Sequence, residues 1–66
     1  MRNNLKVLRA KHSVSQGEVA LKVGVSRQTI NAIETRNYNP STILALKLAE
    51  LFNATVNEIF VLEESD

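Results

Sequence analysis

Residues 15–34 read SQGEVALKVGVSRQTINAIE, and the division of this stretch decides what the chain folds into. Ser15 stands three residues before Glu18, the spacing of a capping box. There the serine oxygen accepts from the Glu18 amide and the glutamate reaches back to the serine amide. A helix therefore opens at Gln16, with Val19, Ala20 and Val23 on its inner face. Gly24 supplies a left-handed residue that ends the helix without a Cβ penalty. Only Val25 then separates Gly24 from Ser26, the N-cap of a second helix with Ile30 and Ile33 on its inner side. So short a connection makes the two helices cross steeply. On the outer side, at about 100° per residue, Arg27, Asn31, Thr35, Gln28 and Ala32 fall within an arc of about 140°. An ordinary solvated face leans on Glu and Lys. This one carries side chains that donate hydrogen bonds.

Working outward, a helix is expected from about Asn4 to Lys11, with Leu5, Leu8 and then His12 at the spacing of a buried stripe. After residue 34 comes TRNYNP, a turn-rich loop closed by Pro40. The longest helix runs from about Ser41 to Phe52. Thr55 and Glu58 form a second capping box, which starts a short helix ending near Phe60. Phe60-Val61-Leu62 is β-prone and is expected to form a brief strand against Met1 to Asn3. The predicted fold is all-α: one compact five-helix domain over residues 1–66, with the helix-turn-helix at about 16–35 and a short terminal strand pair.

Size and composition exclude several classes. Sixty-six residues lie near the lower limit for a chain that folds on its own core. The sequence has no cysteine, so neither disulfides nor thiolate metal sites can staple it. No apolar run approaches the roughly 18–20 residues of a membrane span. Arg2, Lys6, Arg9 and Lys11 interrupt any secretory segment at the start, so the expected location is the cytoplasm. The net charge of +1 hides an asymmetry. Residues 1–47 hold all eight Lys and Arg against two acids, a local charge of +6, whereas residues 48–66 hold five acids and no base. A basic body with an acidic end is drawn to a polyanion and oriented on it.

The long helix has a surplus of apolar residues. Ala45, Leu48, Ala49 and Phe52 make one face, yet Ile43, Leu44, Leu46 and Leu51 are apolar as well. A helix apolar nearly all round is fully buried or covered by a partner, and so small a chain cannot bury every side of it. This predicts a homodimer held by residues 51–62, with Leu51, Val56, Ile59, Val61 and Leu62 at the interface.

The motif and its flanks, LRAKHSVSQ before and NPSTILALKLAELFNATVNEIF after, resemble the Cro/repressor-type (XRE-type) helix-turn-helix family, related to the lambda and 434 phage repressors. The resemblance covers roughly residues 4–60 and is strongest to the small stand-alone dimeric members, in one of which terminal strands accompany the five helices. It implies a lambda-repressor-like fold and a sequence-specific regulator of transcription, a repressor on an inverted-repeat operator, with double-stranded DNA and a second copy as partners. It places the second motif helix in the major groove, with Arg27, Gln28, Asn31 and Ala32 on base edges. Arg reads guanine, Gln or Asn reads adenine, and small apolar groups meet the thymine methyl. Gln16, Ser26, Thr29, Thr35 and the loop Arg36, Asn37, Tyr38 and Asn39 are implied on the DNA backbone. Arg9 and Glu34 match a structural salt bridge. Relatives commonly carry Gly where this chain has Arg36 and Ser13; Asn37 is then expected to take the left-handed conformation in the loop.

Other classes fit less well. His12 is the only histidine, and neither a Gly-rich phosphate loop nor a metal-spaced cluster is present, so no enzyme, metal, cofactor or small-molecule site is expected. The alternative is a protein-interaction module on the same fold, such as an antitoxin.

Overall fold

The computed structural model describes all residues from Met1 to Asp66. In chain order the elements are β1 (Arg2–Asn3), α1 (Leu5–His12), α2 (Gln16–Val23), α3 (Arg27–Glu34), α4 (Thr42–Phe52), α5 (Val56–Ile59) and β2 (Phe60–Val61). Five helices with one two-residue antiparallel strand pair match the expected class, with Arg2 opposite Val61 and Asn3 opposite Phe60. The strands are shorter than expected: Met1 and Leu62 lie outside the ladder. No helix is long and apolar enough to cross a membrane.

Capping chemistry sets the boundaries. Ser15 and Thr55 both form complete capping boxes, with Glu18 and Glu58 as their return partners. Ser26 and Ser41 accept from the amides of Thr29 and Leu44 and so start α3 and α4. At α1 the arrangement differs. Asn4 occupies the cap position but makes no side-chain cap bond. Its amide group instead donates to the Glu58 carbonyl at 2.9 Å, while Asn3 Oδ1 accepts from Leu5 N at 3.3 Å. α1 thus begins where the chain is tied to the end of α5.

Three turns use the left-handed region in non-glycine residues: Ser13 at φ 54°, Arg36 at φ 67° and Asn53 at φ 50°. Arg36, not Asn37, takes this conformation after α3. The physical reason lies in the hydrogen bonds, because Arg36 N donates to Ile33 O and Asn37 N to Ala32 O. That is the Schellman pattern, which requires the left-handed residue one place before the longer bond. Gly24, at φ 77°, turns α2 into α3; an added Cβ there would meet nothing within 4 Å, so the dihedral alone calls for glycine.

The core is one cluster of twelve apolar residues drawn from every helix and from β2. Leu5, Ile30, Leu48 and Ile59 are completely enclosed, and no polar side chain is buried among them. α2 and α3 make the most extensive contact between elements. α4 packs on α2 and α5, buries Leu44, Leu48, Ala49 and Phe52, and leaves Ile43 and Leu46 in solvent. His12 does not complete a buried stripe. It is exposed, with its ring edge-on to Phe52 at 5.2 Å between centroids.

Candidate nucleic-acid interface

α3 buries Ile30 and Ile33 and turns Arg27, Gln28 and Asn31 outward, so its inner and outer sides separate as the periodicity requires. The short α2–α3 connection sets the start of α2 beside this outer face, where Gln16 bonds Asn31. Gln16, Arg27, Gln28 and Asn31 together line an open polar cleft of about 310 Å³. A second, adjoining hollow of about 460 Å³ is lined by Arg9, Ser15, Gln16, Gly17 and Arg27. It lies at the N-terminus of α2, where the helix leaves backbone N–H groups without intrahelical partners and its dipole favours negative charge. Side chains from α1, α2 and α3 therefore converge on one concave, donor-rich surface.

Beneath this surface Arg9 and Glu34 form a two-pronged ion pair, Nε to Oε2 at 2.6 Å and Nη2 to Oε1 at 2.9 Å. The carboxylate side chain is only 6% exposed. Burial pushes the Glu34 carboxyl up, but hydrogen bonds from Arg9 and Gln16 and the charges of Arg9 and Lys6 outweigh it, leaving it below the ordinary carboxylate range. Gln16 Nε2 donates to Glu34 Oε1 and to Asn31 Oδ1, each at 3.1 Å. Nothing in the sequence pattern links Gln16 to Asn31 and Glu34. The only available signal was that the last two are three apart on one helix, facing the start of the other.

The remaining candidate residues are distributed around the cleft. Ala32 is half-buried on α3 and does not line the cleft. Ser26 and Thr29 share a hydroxyl–hydroxyl bond of 3.0 Å. The Thr35 hydroxyl donates back to Asn31 O at 2.9 Å and accepts from Asn37 Nδ2 at 3.2 Å, so it is engaged within its own turn. Arg36, Tyr38 and Asn39 are exposed along the loop; Tyr38, at 48%, is no lid over the core. Arg36 forms an ion pair with Glu63 of the C-terminal tail.

The residues expected at a subunit interface separate. Ile59 has no exposed surface and belongs to the core, because α5 is one turn long and its last side chain points inward; it has nothing to offer a partner. Leu51 borders a groove with His12, Val14 and Lys22. Val56 lies elsewhere, in an apolar groove with Met1, Pro40, Ala45, Leu46 and Phe60. Val61 is half-buried in β2 and Leu62 is 78% exposed. The structure brings no three His, Cys, Asp or Glu side chains together as a metal site would.

A tight helix–turn–helix corner, with a donor-rich outer face on its second helix, defines the class. The helix-turn-helix family profile matches residues 5–59, and the chain belongs to that family. It is 47% identical over 66 residues to an uncharacterised HTH-type transcriptional regulator of Methanocaldococcus jannaschii, covering 100% of both chains. Similar relatives occur in Archaeoglobus fulgidus, at 46% identity over all of this chain and 93% of the relative, and in Bacillus subtilis, at 44% over 100% of both. Each is described as an uncharacterised HTH-type transcriptional regulator.

Proposed function

We propose that this protein is a sequence-specific double-stranded DNA-binding regulator of transcription that acts in the cytoplasm. The observation that carries the reading is the convergence of Arg27, Gln28 and Asn31 with the start of α2 on one open cleft. Membership of the helix-turn-helix family and the regulator names of relatives with full coverage support it. In this reading α3 enters the major groove N-terminus first, so Arg27 and Gln28 reach base edges. The backbone N–H groups of Gln16 and Gly17 meet a phosphate in the adjoining hollow, beside Arg27. Ser26, Thr29 and the loop from Thr35 to Asn39 follow the flanking backbone.

One such helix reads too few base pairs to find a site among genomic competitors. The protein therefore acts as a homodimer on an inverted repeat, with two α3 helices about 34 Å apart. The surface that fits a second copy is the apolar groove around Leu46, Val56 and Phe60, and Ile43 and Leu62 add further exposed apolar side chains. A molecule of 31 × 22 × 21 Å suits two copies side by side at that spacing. A dimer bound there occludes the DNA it covers, and its effect is repression. Selection of bound sites from a random duplex pool tests the reading: an inverted-repeat sequence should be enriched. A pool that stays unenriched at low salt would overturn it.

A further inference from the structure

Glu34 is fixed by Arg9 as a structural residue, yet it also receives a bond from a side chain on the cleft wall. An ionised carboxylate only accepts hydrogen bonds, so the Gln16 amide must turn its nitrogen, not its oxygen, toward Glu34. That nitrogen carries a second hydrogen, which goes to Asn31 Oδ1. Asn31 must therefore hold its oxygen toward Gln16 and its Nδ2 hydrogens toward the open cleft. The direction of each bond is determined by the one before it.

We infer that Glu34 is a positioning residue for base recognition: through Gln16 it fixes the Asn31 amide with its donor outward. This rests on the DNA-binding reading above. An amide free to rotate end for end offers a base either a donor or an acceptor. Held this way, Asn31 offers donors, which suit guanine N7 or O6, adenine N7 and thymine O4. Cytosine presents only its N4 donor in the major groove and is rejected at the position Asn31 faces.

Replacing the carboxylate with an amide reverses the chain. In Glu34→Gln the one remaining oxygen stays on Arg9 Nε, the shorter of the two prongs, and the new NH2 takes the place of Oε1, where it gives up the Arg9 Nη2 bond and faces Gln16. Gln16 then turns its oxygen inward. That oxygen, now lying where its nitrogen lay, accepts from residue 34 and from Asn31 Nδ2 together. Asn31 is left with its oxygen outward, and cytosine becomes the favoured base. Gln16→Leu cuts the chain while keeping the Arg9–Glu34 pair, so Asn31 rotates freely and discrimination against cytosine disappears.

The test is selection of bound duplexes with the wild type and these two variants. Asn31→Ala identifies the base-pair position concerned, as the one whose preference it erases. Wild type should disfavour cytosine there by about three- to tenfold, the range of one hydrogen bond. Glu34→Gln should invert that preference and Gln16→Leu should flatten it, while positions read by Arg27 and Gln28 keep theirs. A purely structural Glu34 would weaken all sequences equally and leave every preference in place, and that result overturns the inference. Should Glu34→Gln not fold, Gln16→Leu decides by the same criterion. Solvent exchange of side-chain amide hydrogens in the free wild type checks the chain without DNA. Gln16 should exchange more slowly than Gln28; equal rates would overturn the chain itself. A wild type that enriches no sequence overturns the DNA-binding reading instead.

Discussion

Arg27 and Gln28 stand exposed at the mouth of the cleft, at the leading end of α3. Arg27→Ala and Gln28→Ala should each lose about 1–3 kcal/mol against the preferred site and relax its base preference, as measured by titration of matched and mismatched duplexes. Glu34 gives a pH signature of stability. Its folded pKa is lowered, so its contribution is fully present above the unfolded value and is lost as pH falls through the folded one. Thermal midpoints of the wild type should therefore drop below about pH 4.3, and Glu34→Gln should show a shallower drop. The inward and outward sides of α3 were legible from spacing alone, and the Arg9–Glu34 pair from resemblance. The Gln16–Asn31–Glu34 chain was not legible, because its direction depends on which atom of an amide faces a carboxylate across two helices. The identity of the left-handed loop residue was hidden for a similar reason: intrinsic preference favours Asn37, but the terminal bonds of α3 select Arg36.

Helix boundaries follow closely from caps. Ser15 with Glu18 and Thr55 with Glu58 were readable because both partners lie within four residues of sequence, and both boxes form. α1 was less readable at its start, since its first turn is fixed by groups distant in sequence. Asn4 bonds Glu58, and Asn3 Nδ2 bonds Ile33 O at 2.9 Å. Ser13 ends α1 with φ 54° and ψ 43°, a conformation that crowds any Cβ. Ser13→Gly relieves that crowding but adds freedom to the unfolded chain. The balance should stabilise the protein by about 0.5 kcal/mol, a rise of a few degrees in thermal midpoint. Gly24→Ala runs the other way: space is open around the added methyl, yet the left-handed dihedral should cost about 1–2 kcal/mol in chemical denaturation.

For the whole molecule, the sequence showed that α4 carries more apolar surface than one chain covers, but not where the excess lies. Packing resolved this: α4 turns Leu44 and Leu48 inward and leaves Ile43 and Leu46 out, while Ile59 is taken into the core. Leu46→Glu places a charge in the proposed interface without touching the core. It should give a folded monomer by sedimentation at micromolar concentration, with specific DNA binding greatly weakened. Wild-type monomers under the same conditions, alone and on DNA, would contradict the dimer. The basic body of residues 1–47 should make binding salt-dependent. Neutralising four phosphates should lower affinity about a hundredfold between 50 and 200 mM salt.

The pairing of β1 with β2, reinforced by Asn4 N to Ile59 O at 2.8 Å, joins segments from opposite ends of the chain. The α2–α3 corner, by contrast, joins near neighbours in sequence. Folding rate falls as contacts span longer loops, since their closure entropy comes before their reward. The helical nucleus should therefore assemble first, and the strand clasp should close only after the rate-limiting step. Asn4→Ala should then speed unfolding while leaving the refolding rate nearly unchanged, which the two limbs of a denaturant chevron separate. The native lifetime would then be governed at the clasp, by a few backbone and asparagine bonds between the two ends of the chain.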